Sequence, residues 1–170
     1  MKKFILVFLL GINFCFSQEK DIFTIARSGT VQEVMDLHTK NSKVLNCKNE
    51  NGFTPLILAC YKGNIDVIQF IINNSTTVNT SSEMGTPLMA ATVRGNVEIV
   101  KMLLENTANP NLTDEKGTTA LMYAVQFRNA KNVALLLQYN ANKLLKDNDG
   151  KTAFEFAVFS KNEEIINLLK

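Results

Sequence analysis

Histidine occurs once in this chain of 170 residues, as His38, and that scarcity removes several kinds of chemistry at the start. Serine–histidine or cysteine–histidine catalysis needs a base beside the nucleophile, so a hydrolytic triad has no material to be built from. A zinc site fails on the same count, because one histidine and scattered cysteines cannot supply ligands at the usual spacing. His38 is instead expected on the surface near a helix end, where its partial positive charge is favourable. A glycine-rich phosphate loop is missing too, since the glycines that precede helices stand singly as turn residues. The nearest match to a calcium loop, Asp147-Asn148-Asp149-Gly150, would require carboxylates where Leu145 and Phe156 stand. Glu163 and Glu164 are accounted for by a helix N-terminus, which favours negative charge. The expectation is a protein that is not an enzyme, with no catalytic residues, no cofactor and no metal.

Nor is any hydrophobic run long enough for a membrane span. The apolar stretch from Phe4 to about Phe16 is shorter than the ~20 residues a spanning helix needs. Lys2 and Lys3 before it and Ser17 after it give residues 1–17 the form of a bacterial secretory signal. Cleavage after Ser17 would place Cys15 and Ser17 at the two small-residue positions of that pattern and start the mature chain at Gln18, in the periplasm or outside the cell, without stable membrane insertion. Phe14, where a lipid-attachment site needs a small residue, argues against an anchor on Cys15. Once Lys2 and Lys3 are gone from the 18 basic residues, 16 remain against 16 acidic ones. A chain without net charge has no long-range attraction to nucleic acid or anionic lipid, so no nucleic-acid partner is expected. Export would expose Cys47 and Cys60 to oxidising conditions. Their placement argues against a bridge, with Cys60 in a tightly packed helical slot and Cys47 in a connector, and a buried, inert Cys60 is the favoured reading.

What the chain does contain is a repeat. Thr54, Thr86, Thr119 and Thr152 follow one another at steps of 32, 33 and 33 residues. Each is a helix start: a hydroxyl that accepts from an orphan N–H, followed twice by a proline, which suits the first turn because its missing N–H has no partner there anyway. Two residues on come Leu56, Leu88, Leu121 and Phe154, and five on come Ala59, Ala91, Ala124 and Ala157, all expected to face inward. Gly63-Asn64 and Gly95-Asn96 end the first helix, and runs such as Ile99, Val100, Leu103 and Leu104 place a stripe on a second one. Upstream, Ile25 to Leu37 reads as a degenerate first copy that caps the stack. Gly52, Gly85, Gly117 and Gly150 mark turn-rich connectors, and Gly85 directly precedes its threonine, so that connector is expected to be shortened. The last copy, with Ala153 for proline and Lys161 for the turn glycine, is expected to fray most readily.

This unit, exemplified by the stretch from Gly85 to Asn111, resembles the ankyrin repeat. The resemblance implies an all-α solenoid of about five stacked helix-turn-helix repeats with short β-hairpin or turn fingers, over residues 18–48, 49–80, 81–113, 114–146 and 147–170. The chain departs from the family at the residue after each TPL-like leucine, where Ile57, Met89, Met122 and Glu155 replace histidine. Without imidazoles linking the repeats, stability is expected to rest on apolar stacking more than on a polar network.

Members of the family habitually bind proteins through their fingers and the exposed ends of their first helices. Carried over position by position, that habit selects Phe53 on a finger, then Tyr61 and Lys62, Val93 and Arg94, Gln126 and Phe127, and Phe159. In a row these would form an apolar strip with basic flanks, the composition favoured at interface hot spots, or some of the rings would fold back and complete the core. The implied function is a monomeric module that binds a protein partner through its concave face. An accessory role for a periplasmic enzyme, or a secreted effector, stands as the alternative.

Overall fold

The computed structural model describes residues 20–75, 78–83 and 85–170. The leader expected over residues 1–17, Cys15 included, lies outside them. Among the described residues ten α-helices form five antiparallel pairs: α1 (Ile22–Ser28) with α2 (Val31–Lys40), α3 (Pro55–Lys62) with α4 (Ile65–Asn74), α5 (Pro87–Val93) with α6 (Val97–Glu105), α7 (Ala120–Gln126) with α8 (Ala130–Gln138), and α9 (Ala153–Ser160) with α10 (Glu163–Leu169). A 3-10 turn over Ser42–Asn46, not expected from the pattern, follows α2. First helices stack in the order α1, α3, α5, α7, α9, while α2 lies on α4, and α8 touches both α6 and α10. The architecture is an all-α repeat solenoid.

The starts of the first helices follow from local chemistry. Thr54, Thr86, Thr119 and Thr152 each accept a hydrogen bond from the backbone N–H three residues on. Each such cap contributes about 1 kcal/mol to its helix. The alanines behind them, Ala59, Ala91, Ala124 and Ala157, are completely buried, which lets neighbouring first helices approach closely. Phe154, expected to face inward, is 37% exposed, and Leu168 on α10 is 38% exposed, because on the outer side of the last pair no further helix among the described residues covers them.

The fingers contain isolated bridges rather than extended strands. In the fourth unit Asp114 N–H donates to the Thr118 carbonyl at 3.1 Å and Gly117 N–H to the Asp114 carbonyl at 3.0 Å, and the second and fifth units repeat the scheme around Asn49 and Asp147. The third unit is one residue shorter, as expected: Ser82 and Gly85 exchange both backbone bonds, at 3.0 and 2.9 Å. Gly85 has φ +96°, and a Cβ there would collide with Met89 Sδ, so only glycine closes this hairpin.

Polar links between repeats are more extensive than the missing histidines led us to expect. Asn79 donates to the Thr107 carbonyl at 3.0 Å and accepts from Asn109 N–H at 2.7 Å. Asn111 does the same one repeat on, to the Asn140 carbonyl at 3.2 Å and from Asn142 N–H at 2.7 Å. At the opposite end of the helices Asn64 donates to the Gly29 carbonyl at 2.9 Å, and Asn129 to that of Gly95 at 3.4 Å. Asparagine amides thus supply the connections that imidazoles would otherwise make. His38 is corrected as well: it is half-buried, packed edge-on against Phe70 with ring centroids 5.7 Å apart, and its Nδ1 has no partner among the described residues. Cys60 is fully buried and Cys47 half-buried, both as free thiols. Burial pushes the Cys60 thiol far above its ordinary range, which keeps it unreactive.

Candidate functional site

Three successive first helices align side chains one turn apart on the same side: buried Ile57 and exposed Tyr61 on α3, buried Met89 and half-buried Val93 on α5, and half-buried Tyr123 on α7 with exposed Phe127 at its C-cap. Together with Phe53 from a finger they line a groove of about 430 Å³, with Arg27 and Lys62 also among its walls. Thr54 and Thr86 fix where α3 and α5 begin, so the caps also set which side chains reach the groove.

Five of the eight residues selected from the sequence meet here: Phe53, Tyr61, Lys62, Val93 and Phe127. Arg94 lies beside them, its guanidinium carbon 5.2 Å from the centre of the Tyr61 ring. That geometry is a cation–π contact, which holds the Tyr61 ring in place while it stays 44% exposed. Phe127, 55% exposed, tilts against Tyr123 at a centroid distance of 6.5 Å. Gln126 and Phe159 are not in the groove. Gln126 borders a polar hollow with Thr118, Asp147 and Asn148, and Phe159, 88% exposed, borders an apolar hollow of about 520 Å³ with Phe154, Phe156 and Val158. Because Tyr123 is shared by the first two hollows and Phe156 by the last two, the face is continuous but changes chemistry along its length.

Tyr123 marks the first of those changes. Its hydroxyl donates to Asp114 Oδ2 at 2.6 Å, and burial together with that neighbouring carboxylate pushes its pKa up to about 12. The phenol therefore stays neutral and acts as a fixed hydrogen-bond donor, not as an acid or base at neutral pH. Sequence alone does not single out Tyr123, and it marks Ile57 and Met89 only as replacements for the family's histidine, because the family's contact positions fall at the ends of the first helices rather than along them. The signal was present in the pair Tyr123 and Phe127, four residues apart on one helix face. Among the described residues no group of three histidine, cysteine, aspartate or glutamate side chains is placed to hold a metal, and no helix is long and apolar enough to cross a membrane.

Comparison with protein families matches the description "Ankyrin repeats (3 copies)" over residues 22–114 and again over 106–170. The chain belongs to the ankyrin-repeat family. Ankyrin repeats act as protein–protein interaction modules and are generally without catalysis of their own. In this ankyrin stack the groove of Tyr61 and Phe127 runs across the first helices α3, α5 and α7.

Proposed function

We propose that this ankyrin-repeat protein is a non-enzymatic module that binds a protein partner through the face made by its first helices and fingers, and that it does so in the periplasm or outside the cell. The observation carrying the binding face is the groove itself: Tyr61 and Phe127 stay substantially exposed across an apolar hollow, although the stacked core beneath them is otherwise closed. Rigid aromatic side chains of this kind offer a large contact area at little cost in side-chain entropy. Export rests on the form of residues 1–17. The test of the face is affinity capture from periplasmic extract with the wild-type chain beside a Tyr61→Ser, Phe127→Ser, Phe159→Ser variant whose helical circular dichroism is unchanged. A partner retained by the wild type and lost by the variant is the expected result, and equal recovery would overturn the proposal. Mass spectrometry of the protein from cells should give a chain starting at Gln18; an intact Met1 in the cytoplasm would overturn export.

A further inference from the structure

The partner's chemistry can be narrowed from the charges beside the groove, on the reading that this face binds protein. Each helix pair places one cation at or next to the turn that ends its first helix: Arg27, Lys62, Arg94, Arg128 and Lys161. All but the half-buried Arg27 are exposed. Ion pairs among the described residues lie elsewhere, at Lys20–Glu33, Lys101–Glu105 and Lys151–Asp149, and none of the five cations is in one. Arg94 rests on Tyr61, Arg27 donates to the Phe23 carbonyl at 3.5 Å and Arg128 to that of Ser160 at 3.2 Å. Each guanidinium has five donors, so these contacts leave most of them unused. On the finger side the charges are mixed, with Glu115, Asp147 and Asp149 beside Lys116. Exposed acids, Asp66, Glu98, Glu163 and Glu164, follow these turns on the second helices, so it is the ends of the first helices themselves that carry only positive charge.

Spacing selects the form of ligand. Packed helices lie roughly 8–10 Å apart, so the cations recur at about that interval. A polyproline-II segment advances about 9 Å in one turn of three residues and returns every third side chain to the same side. A groove of about 430 Å³ accepts a few side chains. It does not accept a whole helix, which is ~10–12 Å across. A nucleic-acid strand carries a charge every ~3.4 Å, so one cation per repeat would leave most phosphates uncompensated. We infer that the partner presents an extended, polyproline-II-like acidic segment, with carboxylates three residues apart along the cationic edge and a bulky apolar side chain seated between Tyr61 and Phe127.

The test uses the full chain and fluorescein-labelled peptides that repeat Glu-Pro-Pro on both sides of a central phenylalanine, with Gln-Pro-Pro and Lys-Pro-Pro counterparts and an oligothymidylate as controls. Fluorescence anisotropy should show the Glu peptide binding at least about tenfold more tightly than the Gln peptide at low salt, with the advantage shrinking at ~0.15 M salt. Lys62→Glu with Arg94→Glu should remove that advantage and admit the Lys peptide, the fold being checked by circular dichroism. Equal binding of Glu and Gln peptides, preference for the Lys peptide or the oligonucleotide, or no binding by any peptide would each overturn the inference. The broader reading fails separately: a captured partner that is lost on Tyr61→Ser with Phe127→Ser but kept by the charge-reversed variant leaves the groove standing and removes the acidic segment.

Discussion

Replacing Asn132 by valine should stabilise the protein, and the size of the effect can be worked out from its surroundings. Asn132 is completely buried, and neither Oδ1 nor Nδ2 of its amide has a partner among the described residues. At the same place, three residues after the N-cap of the second helix, three of the other repeats carry Val67, Ile99 and Ile165, each fully buried, and the first, capping pair carries Glu33. An unpaired buried polar group costs about 1–3 kcal/mol. Valine removes that cost, adds apolar contact and has nearly the same helix propensity. The backbone N–H of Asn132 is held by Asn129 Oδ1 at 3.0 Å whatever the side chain. A gain of about 2 kcal/mol is expected, which for a chain of this size raises Tm by ~4–8 °C. Thermal and urea unfolding followed by helical circular dichroism would measure it. The reciprocal Ile99→Asn, which places a second unpaired amide in the stack, should lose at least about 2 kcal/mol. A valine variant no more stable than the wild type would show that the amide has a bonding partner and would refute the reasoning.

Four further expectations can be checked with the same preparations. Lys161→Gly should stabilise and Gly63→Ala destabilise by about 0.5–1 kcal/mol each in urea unfolding, because both positions are left-handed, at φ +52° and +82°, and a Cβ there costs more than glycine's extra unfolded freedom returns. Shifts in the same direction would refute this. Asn111→Ala, which deletes two links between repeats, should lose about 1–2 kcal/mol and broaden the unfolding transition; an unchanged midpoint would count against the asparagine links. The Glu155 carboxyl is held below its ordinary pKa, chiefly by the Thr152 N–H, so its contribution is present above the unfolded value of about 4.3 and is lost as pH falls through the lower folded value. Glu155→Gln should accordingly be less stable than wild type at neutral pH and equal to it in strong acid, and a difference independent of pH would contradict the assignment. Hydrogen exchange should be faster in α9 and α10 than in α5 and α7, and the best protection at the last pair would refute the fraying expected there.

The fold was legible in the sequence because its determinants are local. A threonine cap, an alanine five residues on and a turn residue before the next helix can each be recognised without knowing what packs against them; at Thr54 and Thr86 every one appears as the pattern requires, and at Thr119 only the turn departs, with Arg128 at φ +55° in place of glycine. Asn132 was missed because the run beginning at Val133 is sufficient to announce α8, so its polar neighbour reads as an exposed start. The links made by Asn79 and Asn111 were out of reach for a different reason. They depend on carbonyls of the next repeat at Thr107 and Asn140, which are turned toward them by left-handed backbone at residues that are not glycine. Of the selected binding residues, those at repeats two to four, Gln126 excepted, converge because a neighbour lies on each side. Phe159 stands apart because, among the described residues, its helix pair packs against a neighbour on one side only.

The position after the TPL-like leucine joins the fold's needs to the surface's. There the side chain can reach back to the N–H of the capping threonine. Met89 Sδ and Met122 Sδ do so at 3.4 and 3.5 Å, whereas Glu155 Oε2 does so at 2.6 Å. Thioether sulfur is a weak acceptor, so the inner caps are closed less firmly than the outer one. In return Met89 is apolar and flexible enough to line the groove between α3 and α7, where a carboxylate would be desolvated beside Tyr61 and Phe127. At the last pair the same position is exposed, and Glu155 retains the stronger bond without that penalty. Substitution of the family's histidine is therefore more than a loss. It makes the middle of the face apolar where the aromatic side chains converge, leaving charge to the row of cations along the turns, and so divides the surface into a part suited to anchoring a side chain and a part suited to orienting the segment that carries it.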